Sequence, residues 1–161
     1  MTSSAAINLL EKLVAFDTTS RNSNLKLIDF IEDYLEGHGL RSQRVLSPEG
    51  DKANLWVTIG PDISGGTILS GHTDTVPVDG QNWTSDPFTL TQRGNKLVGR
   101  GACDMKGFLA CILAAVPQMI AADLARPIHL AFSYDEEVGC LGVIGLIDWL
   151  KVQAIKPAFC L

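Results

Sequence analysis

The chain has 161 residues, a length that suits one domain with a hydrophobic core. Hydrophobic residues make up 46% and charged residues 19% of it, which is typical of a globular protein and excludes a disordered one. The formal charge of −5, without a cluster of lysines or arginines, argues against nucleic acid as a partner.

Apolar residues at helical spacing predict two helices in the first quarter of the chain. The first spans 5–16, with Ser3 or Ser4 as its cap, and the second spans 24–37 and ends at two glycines. The apolar residues expected to face the core are Ile7, Leu10, Leu13, Val14, Leu25, Leu27, Ile28, Ile31 and Leu35.

Short runs of β-type residues then predict strands, two of which form a hairpin over residues 92–95. The predicted strands span 42–46, 54–59, 67–70, 88–91, 96–98 and 128–134. Helices are predicted over 105–122, where Pro117 kinks or ends the helix, and over 141–151. Residues 158–161 resemble the start of a strand for which the sequence offers no partner.

The N-terminus has no basic region followed by an apolar core, so we expect no signal peptide. The longest apolar run, 108–116, is far shorter than the ~18–20 residues that cross a bilayer. These features predict a cytoplasmic protein without a membrane partner. The four cysteines, at 103, 111, 140 and 160, contain no C-x-x-C pair, so we expect reduced, buried thiols. Cys103 and Cys140 are expected to lie near the acidic motifs without binding metal.

Three motifs rich in carboxylates follow or lie near the strand-like runs. They are Gly-His-Thr-Asp-Thr-Val-Pro at 71–77, Gly-Arg-Gly-Ala-Cys-Asp-Met-Lys-Gly at 99–107 and Ser-Tyr-Asp-Glu-Glu-Val-Gly at 133–139. Strand ends are where ligands collect in an open α/β sheet. One imidazole and several carboxylates at such an edge repel one another unless a cation lies among them, and zinc is the cation that fits best. The pattern therefore predicts metal-assisted hydrolysis.

Each motif also has a simpler interpretation. His72 could be a structural turn residue, although Asp74 is placed to accept a hydrogen bond from its second ring nitrogen. Asp104 could be an ordinary helix N-cap, or a carboxylate that bridges two cations. Glu136 and Glu137 could form a solvated turn. At a strand end, however, adjacent side chains point in opposite directions, so one could bind metal while the other acts as a general base. The glycines of 99–107 do not have the order of a phosphate-binding loop.

These motifs, together with Trp-Thr-Ser-Asp-Pro-Phe-Thr-Leu at 83–90, resemble those of the acetylornithine deacetylase, succinyl-diaminopimelate desuccinylase and glutamate carboxypeptidase family. The likeness is strongest to the acetylornithine deacetylase branch. It implies an α/β fold: a three-layer zinc-peptidase-like catalytic domain with a mostly parallel mixed sheet, incomplete at its C-terminus.

The resemblance also implies a role for each matching residue. His72 would bind one zinc ion, Asp104 would bridge two, and Glu137 would bind the second, with cobalt as a possible substitute. Asp74 would orient His72. Glu136 would take a proton from the attacking water and pass it to the leaving amine.

The implied reaction is hydrolysis of an N-acyl amino acid, with N-acetyl-L-ornithine giving L-ornithine and acetate in arginine biosynthesis. A dipeptidase or carboxypeptidase of the same family is the alternative. Family members are longer and homodimeric: past the position of Leu161 they carry a further zinc-binding Glu, a dimerisation domain and a final zinc-binding His. His129, in mid-strand, is not a credible substitute. We therefore expect 1–161 to be the N-terminal part of the catalytic domain, or an inactive truncated product that binds metal weakly or not at all.

Overall fold

The computed structural model describes residues 2–161, which form four helices and seven strands. The helices are α1 (Thr2–Val14), α2 (Leu25–Glu36), α3 (Lys106–Ala121) and α4 (Leu141–Val152). The strands are β1 (Ser42–Leu46), β2 (Ala53–Ile59), β3 (Thr67–His72), β4 (Thr91–Arg93), β5 (Lys96–Val98), β6 (Ile128–Ser133) and β7 (Phe159–Cys160). Within this range no helix combines the length and the apolar character that crossing a bilayer requires.

Five strands form one sheet in the order β1-β2-β6-β3-β7. β2 is antiparallel to both of its neighbours, whereas β6, β3 and β7 pair in parallel. Four of the five strands therefore run in one direction and β2 alone runs against them, so the predicted mostly parallel mixed sheet is confirmed. β4 and β5 form a separate hairpin.

Alternating side chains of the central strands divide the apolar residues between two faces of the sheet. Leu55 and Val57 of β2 pack with the main core formed by α1, α2 and α3. Trp56, between them, packs with Ala131 and with Leu146 of α4. Because successive side chains of a strand point to opposite faces, helices cover the sheet on both sides. The predicted three-layer α/β architecture is confirmed.

The first helix differs from its prediction at its N-terminal end. It begins at Thr2, so Ser3 and Ser4 lie inside the helix and do not cap it. Ile7, expected to face the core, is 41% exposed, and Leu9 is buried in its place. Leu10, Leu13 and Val14 are buried as predicted, so the face of α1 that packs against α3 differs from the prediction only at Ile7 and Leu9.

Pro117 does not end the helix predicted over 105–122, since α3 continues past it to Ala121. A proline inside a helix lacks the N–H that would bond to the carbonyl four residues earlier. Here that carbonyl belongs to Leu113, and it accepts a hydrogen bond of 3.0 Å from the Tyr34 hydroxyl of α2. A residue 79 positions away therefore satisfies the group that proline leaves free.

The predicted hairpin begins three residues too early. Asp86 accepts hydrogen bonds from the Phe88 amide at 3.0 Å and from the Thr89 hydroxyl at 2.9 Å, so this segment forms a turn. The strands pair Thr91–Arg93 with Lys96–Val98 around a two-residue connection. The side chain of Asp86 competes with strand formation, which is a common effect of aspartate near turns.

Two other predictions for the end of the chain and for the cysteines are wrong. The C-terminal segment has a partner, because Phe159 and Cys160 pair in parallel with Thr67 and Ile68 of β3.

The four cysteines are exposed instead of buried, and all four are free thiols. The prediction that the cysteines are reduced is therefore confirmed, whereas the prediction that they are buried is wrong.

Two glycines of α4 provide a matched test of how closely this helix packs on the sheet. A Cβ on Gly142 would overlap the Tyr134 carbonyl oxygen, whereas a Cβ on Gly145 would meet only a Val45 methyl at 4.0 Å. We expect Gly142→Ala to lower the free energy of unfolding by about 1–3 kcal/mol through overpacking. Gly145→Ala should raise it by about 0.5–1 kcal/mol through helix propensity. Urea denaturation checks both, and equal effects from the two variants would contradict the observed packing.

Candidate metal centre

The candidate centre lies where two parallel strands end side by side. His72, the last residue of β3, is paired in register with Ser133, the last residue of β6. The turn that follows β6 carries Glu136 and Glu137, and the loop that precedes α3 carries Asp104. The parallel pairing places the motifs of His72 and of the two glutamates at one edge of the sheet, as predicted from their positions at strand ends. The loop that precedes α3 brings Asp104 to the same edge.

Three side chains converge at this edge. One ligand atom each from His72, Asp104 and Glu137 lies within 4.8 Å of the other two. His72 Nε2 is 3.0 Å from Asp104 Oδ1. The His72 side chain is 5% exposed and that of Asp104 is 74% exposed, so the cluster has a buried imidazole and an open carboxylate side. The structure therefore brings together the three residues that the sequence singled out as metal ligands.

The orientation of His72 is set by its neighbour two residues along. Nδ1 is 3.0 Å from the Asp74 backbone carbonyl oxygen and 3.5 Å from the Asp74 carboxylate. An Nδ1–H that donates to these acceptors leaves Nε2 facing Asp104. Burial alone would lower the pKa of His72, but the Asp74 and Asp104 carboxylates outweigh it and raise this pKa to about 9.

Asp74, which was predicted to orient His72, also binds three other groups around the site. Its nearly buried carboxylate accepts hydrogen bonds from the Ser20 hydroxyl at 2.7 Å, the Glu136 amide at 3.0 Å and the Glu137 amide at 3.2 Å. Burial opposes ionisation, yet these bonds and His72 hold the pKa of Asp74 below its usual range. Asp74 therefore ties the strand that carries His72 to the turn that carries both glutamates.

The prediction that the side chains of Glu136 and Glu137 point in opposite directions is wrong. β6 ends at Ser133, and Asp135 has a φ of 54°, so the two glutamates lie in a turn and not on a strand. Glu136 Oε2 is 3.7 Å from His72 Nε2, while Glu137 belongs to the converging cluster. Both carboxylates therefore face the same site. Burial, followed by the negative charge of Asp104, raises the pKa of Glu137.

Asp104 is not the N-cap that the sequence allowed. Met105 occupies that position, and α3 begins at Lys106. The loop before it is folded tightly: Gly101 has a φ of +75°, and a Cβ there would lie 2.6 Å from a Thr75 methyl group. Glycine is required at this position because both the backbone conformation and the space exclude a side chain. The close approach brings the Asp104 loop against the strand end that carries His72.

The two cysteines near the motifs flank the cluster. Cys103 lines a cavity of about 210 Å³ together with Asp104 and Glu137. Cys140 lines a cavity of about 250 Å³ together with His72 and Glu136, and its thiol donates to Glu136 Oε1 at 3.6 Å. Neither belongs to the converging group, so both lie beside the site as expected.

The remaining histidines have structural surroundings. His129 Nδ1 is 3.0 Å from the Thr58 hydroxyl, Nε2 is 3.2 Å from the Gly65 carbonyl, and the ring stacks on Trp56. His38 Nδ1 lies 2.8 Å from the Tyr34 carbonyl near the end of α2. Both rings have hydrogen-bond partners outside the cluster.

Two residues that support the site, Ser20 and Lys52, were not predicted from the sequence. Ser20 reaches Asp74, and Lys52 Nζ lies 2.7 Å from Asp135 Oδ1. They are 54 and 83 positions away from these partners along the chain. A lone serine and a lone lysine at such separations carry no local signal, so only the folded chain reveals them.

Comparisons with known proteins agree on one family. The model of peptidase family M20/M25/M40 matches residues 68–161. Acetylornithine deacetylase of Proteus mirabilis (strain HI4320) is 42% identical over 147 residues, which cover 90% of this chain and 37% of that protein. Acetylornithine deacetylase of Pasteurella multocida (strain Pm70) is 43% identical over 133 residues, covering 81% and 34%. This chain thus spans little more than a third of the length of these relatives.

Solved structures show the same fold at lower sequence identity. Human carnosine dipeptidase 1 has a TM-score of 0.78 at 24% identity, with 96% of this chain and 38% of that chain covered. The M20 family metallo-carboxypeptidase Sso-CP2 from Sulfolobus solfataricus has a TM-score of 0.81 at 19% identity, with 96% and 36% covered. At these identities the likeness establishes the fold alone.

Proposed function

Because the chain belongs to peptidase family M20/M25/M40, we propose that it forms the metal-binding part of a hydrolase that cleaves the amide bond of an N-acyl amino acid. The proposed substrate is N-acetyl-L-ornithine, which yields L-ornithine and acetate in arginine biosynthesis. The convergence of His72, Asp104 and Glu137 at one sheet edge is the observation that carries the reaction class. Relatives named acetylornithine deacetylase at 35–43% identity support the substrate.

The proposed cofactor is zinc, with two ions in the complete site and cobalt as a substitute. The chemistry of the donor set fits, because zinc takes imidazole and carboxylate ligands in hydrolytic sites and keeps an open position. His72 has one ring nitrogen held by Asp74 and the other directed at Asp104, which is the arrangement of a metal-binding histidine. In this proposal His72 would hold one ion, Glu137 would hold the second, and Asp104 would contribute to the binding of both.

Bound metal would supply Lewis acidity, which lowers the pKa of water and polarises a carbonyl group. Glu136 is the proposed general base, since its carboxylate lies 3.7 Å from His72 Nε2 and is 44% exposed. It takes a proton from water as the water oxygen adds to the amide carbon. It then delivers that proton to the nitrogen as the carbon–nitrogen bond breaks, giving a free amine and a carboxylic acid, which releases its own proton to water. Asp74 keeps His72 and the glutamate turn in place throughout.

We propose that residues 1–161 are the N-terminal part of a longer catalytic domain, and that the longer protein is a cytoplasmic homodimer. The greater length of the relatives and two exposed apolar surfaces of the fold support the proposal of a longer catalytic domain. Leu141, Ile144 and Ile147 of α4 are 44–56% exposed, and Phe159 on the edge strand β7 is 70% exposed. Apolar side chains grouped in this way are suited to cover by further polypeptide.

The direct test measures release of ornithine from N-acetyl-L-ornithine with added zinc or cobalt. The chain is assayed alone and after fusion to the remaining C-terminal part of the Proteus mirabilis relative. We expect activity in the fusion, and greater activity on N-acetyl-L-ornithine than on a dipeptide. Preference for the dipeptide would favour the dipeptidase alternative, and a metal-replete fusion inactive on both would contradict the proposal.

Zinc is expected to raise the melting temperature of the chain. A ligand at 100 times its dissociation constant stabilises the folded state by about 2.7 kcal/mol, which corresponds to roughly 5–10 °C for a domain of this size. The carboxylates of Asp104 and Glu137 repel each other without a cation, which adds to the gain. Scanning calorimetry with and without zinc measures the shift. His72→Asn should abolish it, whereas the control His38→Asn should retain it. An unchanged melting curve in millimolar zinc would contradict the metal site.

A further inference from the structure

The turn that carries both glutamates is held from two sides. On one side, Asp74 accepts hydrogen bonds from the amides of Glu136 and Glu137. On the other side, Asp135 precedes them in a left-handed conformation, with a φ of 54°, that non-glycine residues seldom adopt. Such a conformation persists only when the surroundings determine it. The direction of the two glutamates therefore depends on what holds Asp135.

Lys52 supplies that contact. Its ammonium group lies 2.7 Å from Asp135 Oδ1 and 2.9 Å from Oδ2, so the contact is bidentate. The two side chains are 13% and 15% exposed. Removing one member of a pair that is largely shielded from water leaves an uncompensated charge, so this pair is more sensitive to mutation than a surface pair.

The same ammonium group reaches the other side of the site. It donates a hydrogen bond of 2.5 Å to the Ser20 carbonyl, and the Ser20 hydroxyl donates to Asp74 at 2.7 Å. Lys52 thus links Asp135 to the loop that supports Asp74. It also neutralises the carboxylate of Asp135, which is not part of the converging group, so that Asp135 adds no net charge beside Asp104 and the glutamates.

We propose that Lys52 is a positioning residue: by holding Asp135, it sets the direction of Glu136 and Glu137 toward His72 and Asp104. This inference rests on the proposed function, in which Glu136 is the general base and Glu137 is a metal ligand. Lys52 supports the turn that carries both residues. Lys52 does not contact the cluster itself and acts through the turn.

The test compares Lys52→Met, which removes the charge and keeps most of the side-chain stem, with Lys52→Arg, which keeps the charge. The control is Lys151→Met, which removes an exposed ion pair between Lys151 and Asp148. Two quantities are measured in the whole chain: hydrogen exchange of the Glu136 and Glu137 amides, and cobalt(II) affinity from its visible absorption. Amide exchange in α3 reports global stability.

For Lys52→Met we expect about 10-fold faster exchange of the two turn amides, with α3 unchanged, and about 10–100-fold weaker cobalt binding. Lys52→Arg should retain most of the slow amide exchange and most of the cobalt affinity of the parent chain. Lys151→Met should change neither the exchange rate nor the affinity. Parent-like exchange of the two amides in Lys52→Met would overturn the proposal, as would equal acceleration in α3. If the parent chain binds no cobalt, the metal assay counts against the proposed function, while the exchange assay still decides the role of Lys52.

Discussion

Glu136→Ala is expected to lower the turnover of N-acetyl-L-ornithine by about 10²–10⁴-fold while leaving bound metal in place, because it removes the group that transfers the proton. Glu136 is suited to this role by position: its carboxylate lies beside the cluster, 3.7 Å from His72 Nε2, but outside the group of converging ligand atoms. Turnover is measured on the fusion described above if the chain alone is inactive, and metal content by atomic absorption.

Glu137→Ala should give the opposite pattern. Its carboxylate belongs to the converging group with His72 and Asp104, so its loss should weaken metal binding first, and excess zinc should restore part of the activity. Glu11→Ala serves as a control, since Glu11 is exposed on α1. Metal loss from Glu136→Ala together with a metal-replete, inactive Glu137→Ala would mean that the two roles are exchanged. Equal, mild effects from both would mean that the turn is only a solvated acidic surface.

Asp74→Ala is expected to lower the free energy of unfolding by about 3–5 kcal/mol. The substitution leaves the Ser20 hydroxyl and the amides of Glu136 and Glu137 without their acceptor. Each buried donor without a partner costs about 1–3 kcal/mol, and the total is a large part of the 5–15 kcal/mol that stabilises a typical domain. Urea denaturation in the absence of metal measures the loss, so the result does not depend on the proposed cofactor.

Asp86→Ala is the matched control for this experiment. Asp86 also accepts one amide and one hydroxyl hydrogen bond, from Phe88 and Thr89, but these lie at an exposed turn. Water can replace an acceptor there, so little change in stability is expected. A loss from Asp74→Ala no larger than that from Asp86→Ala would show that the Asp74 carboxylate does not hold the glutamate turn.

Features that depend on local pattern were predictable from the sequence. β1 has the predicted bounds, and the apolar spacing of α2 identified Leu27, Ile28, Ile31 and Leu35 as buried. The three carboxylate motifs were predicted to meet because they follow or lie near strand-like runs, and ligands collect at strand ends in an α/β sheet. That reasoning holds for the ends of β3 and β6, whereas the loop before α3 delivers Asp104. Periodicity and strand ends are properties of short segments, so neighbouring residues suffice to reveal them.

Only the tertiary structure decided which residues support the site and in which direction the two glutamate side chains point. Asp135 adopts a left-handed conformation and pairs with Lys52, 83 positions away, which turns both glutamates toward one site in place of the opposite directions of a strand. Likewise α3 continues past Pro117 because Tyr34 takes up the free carbonyl, and the last strand finds its partner in β3. Hydrogen bonds and ion pairs between distant segments leave no periodic trace in the chain, and their geometry exists only after the sheet and helices have packed.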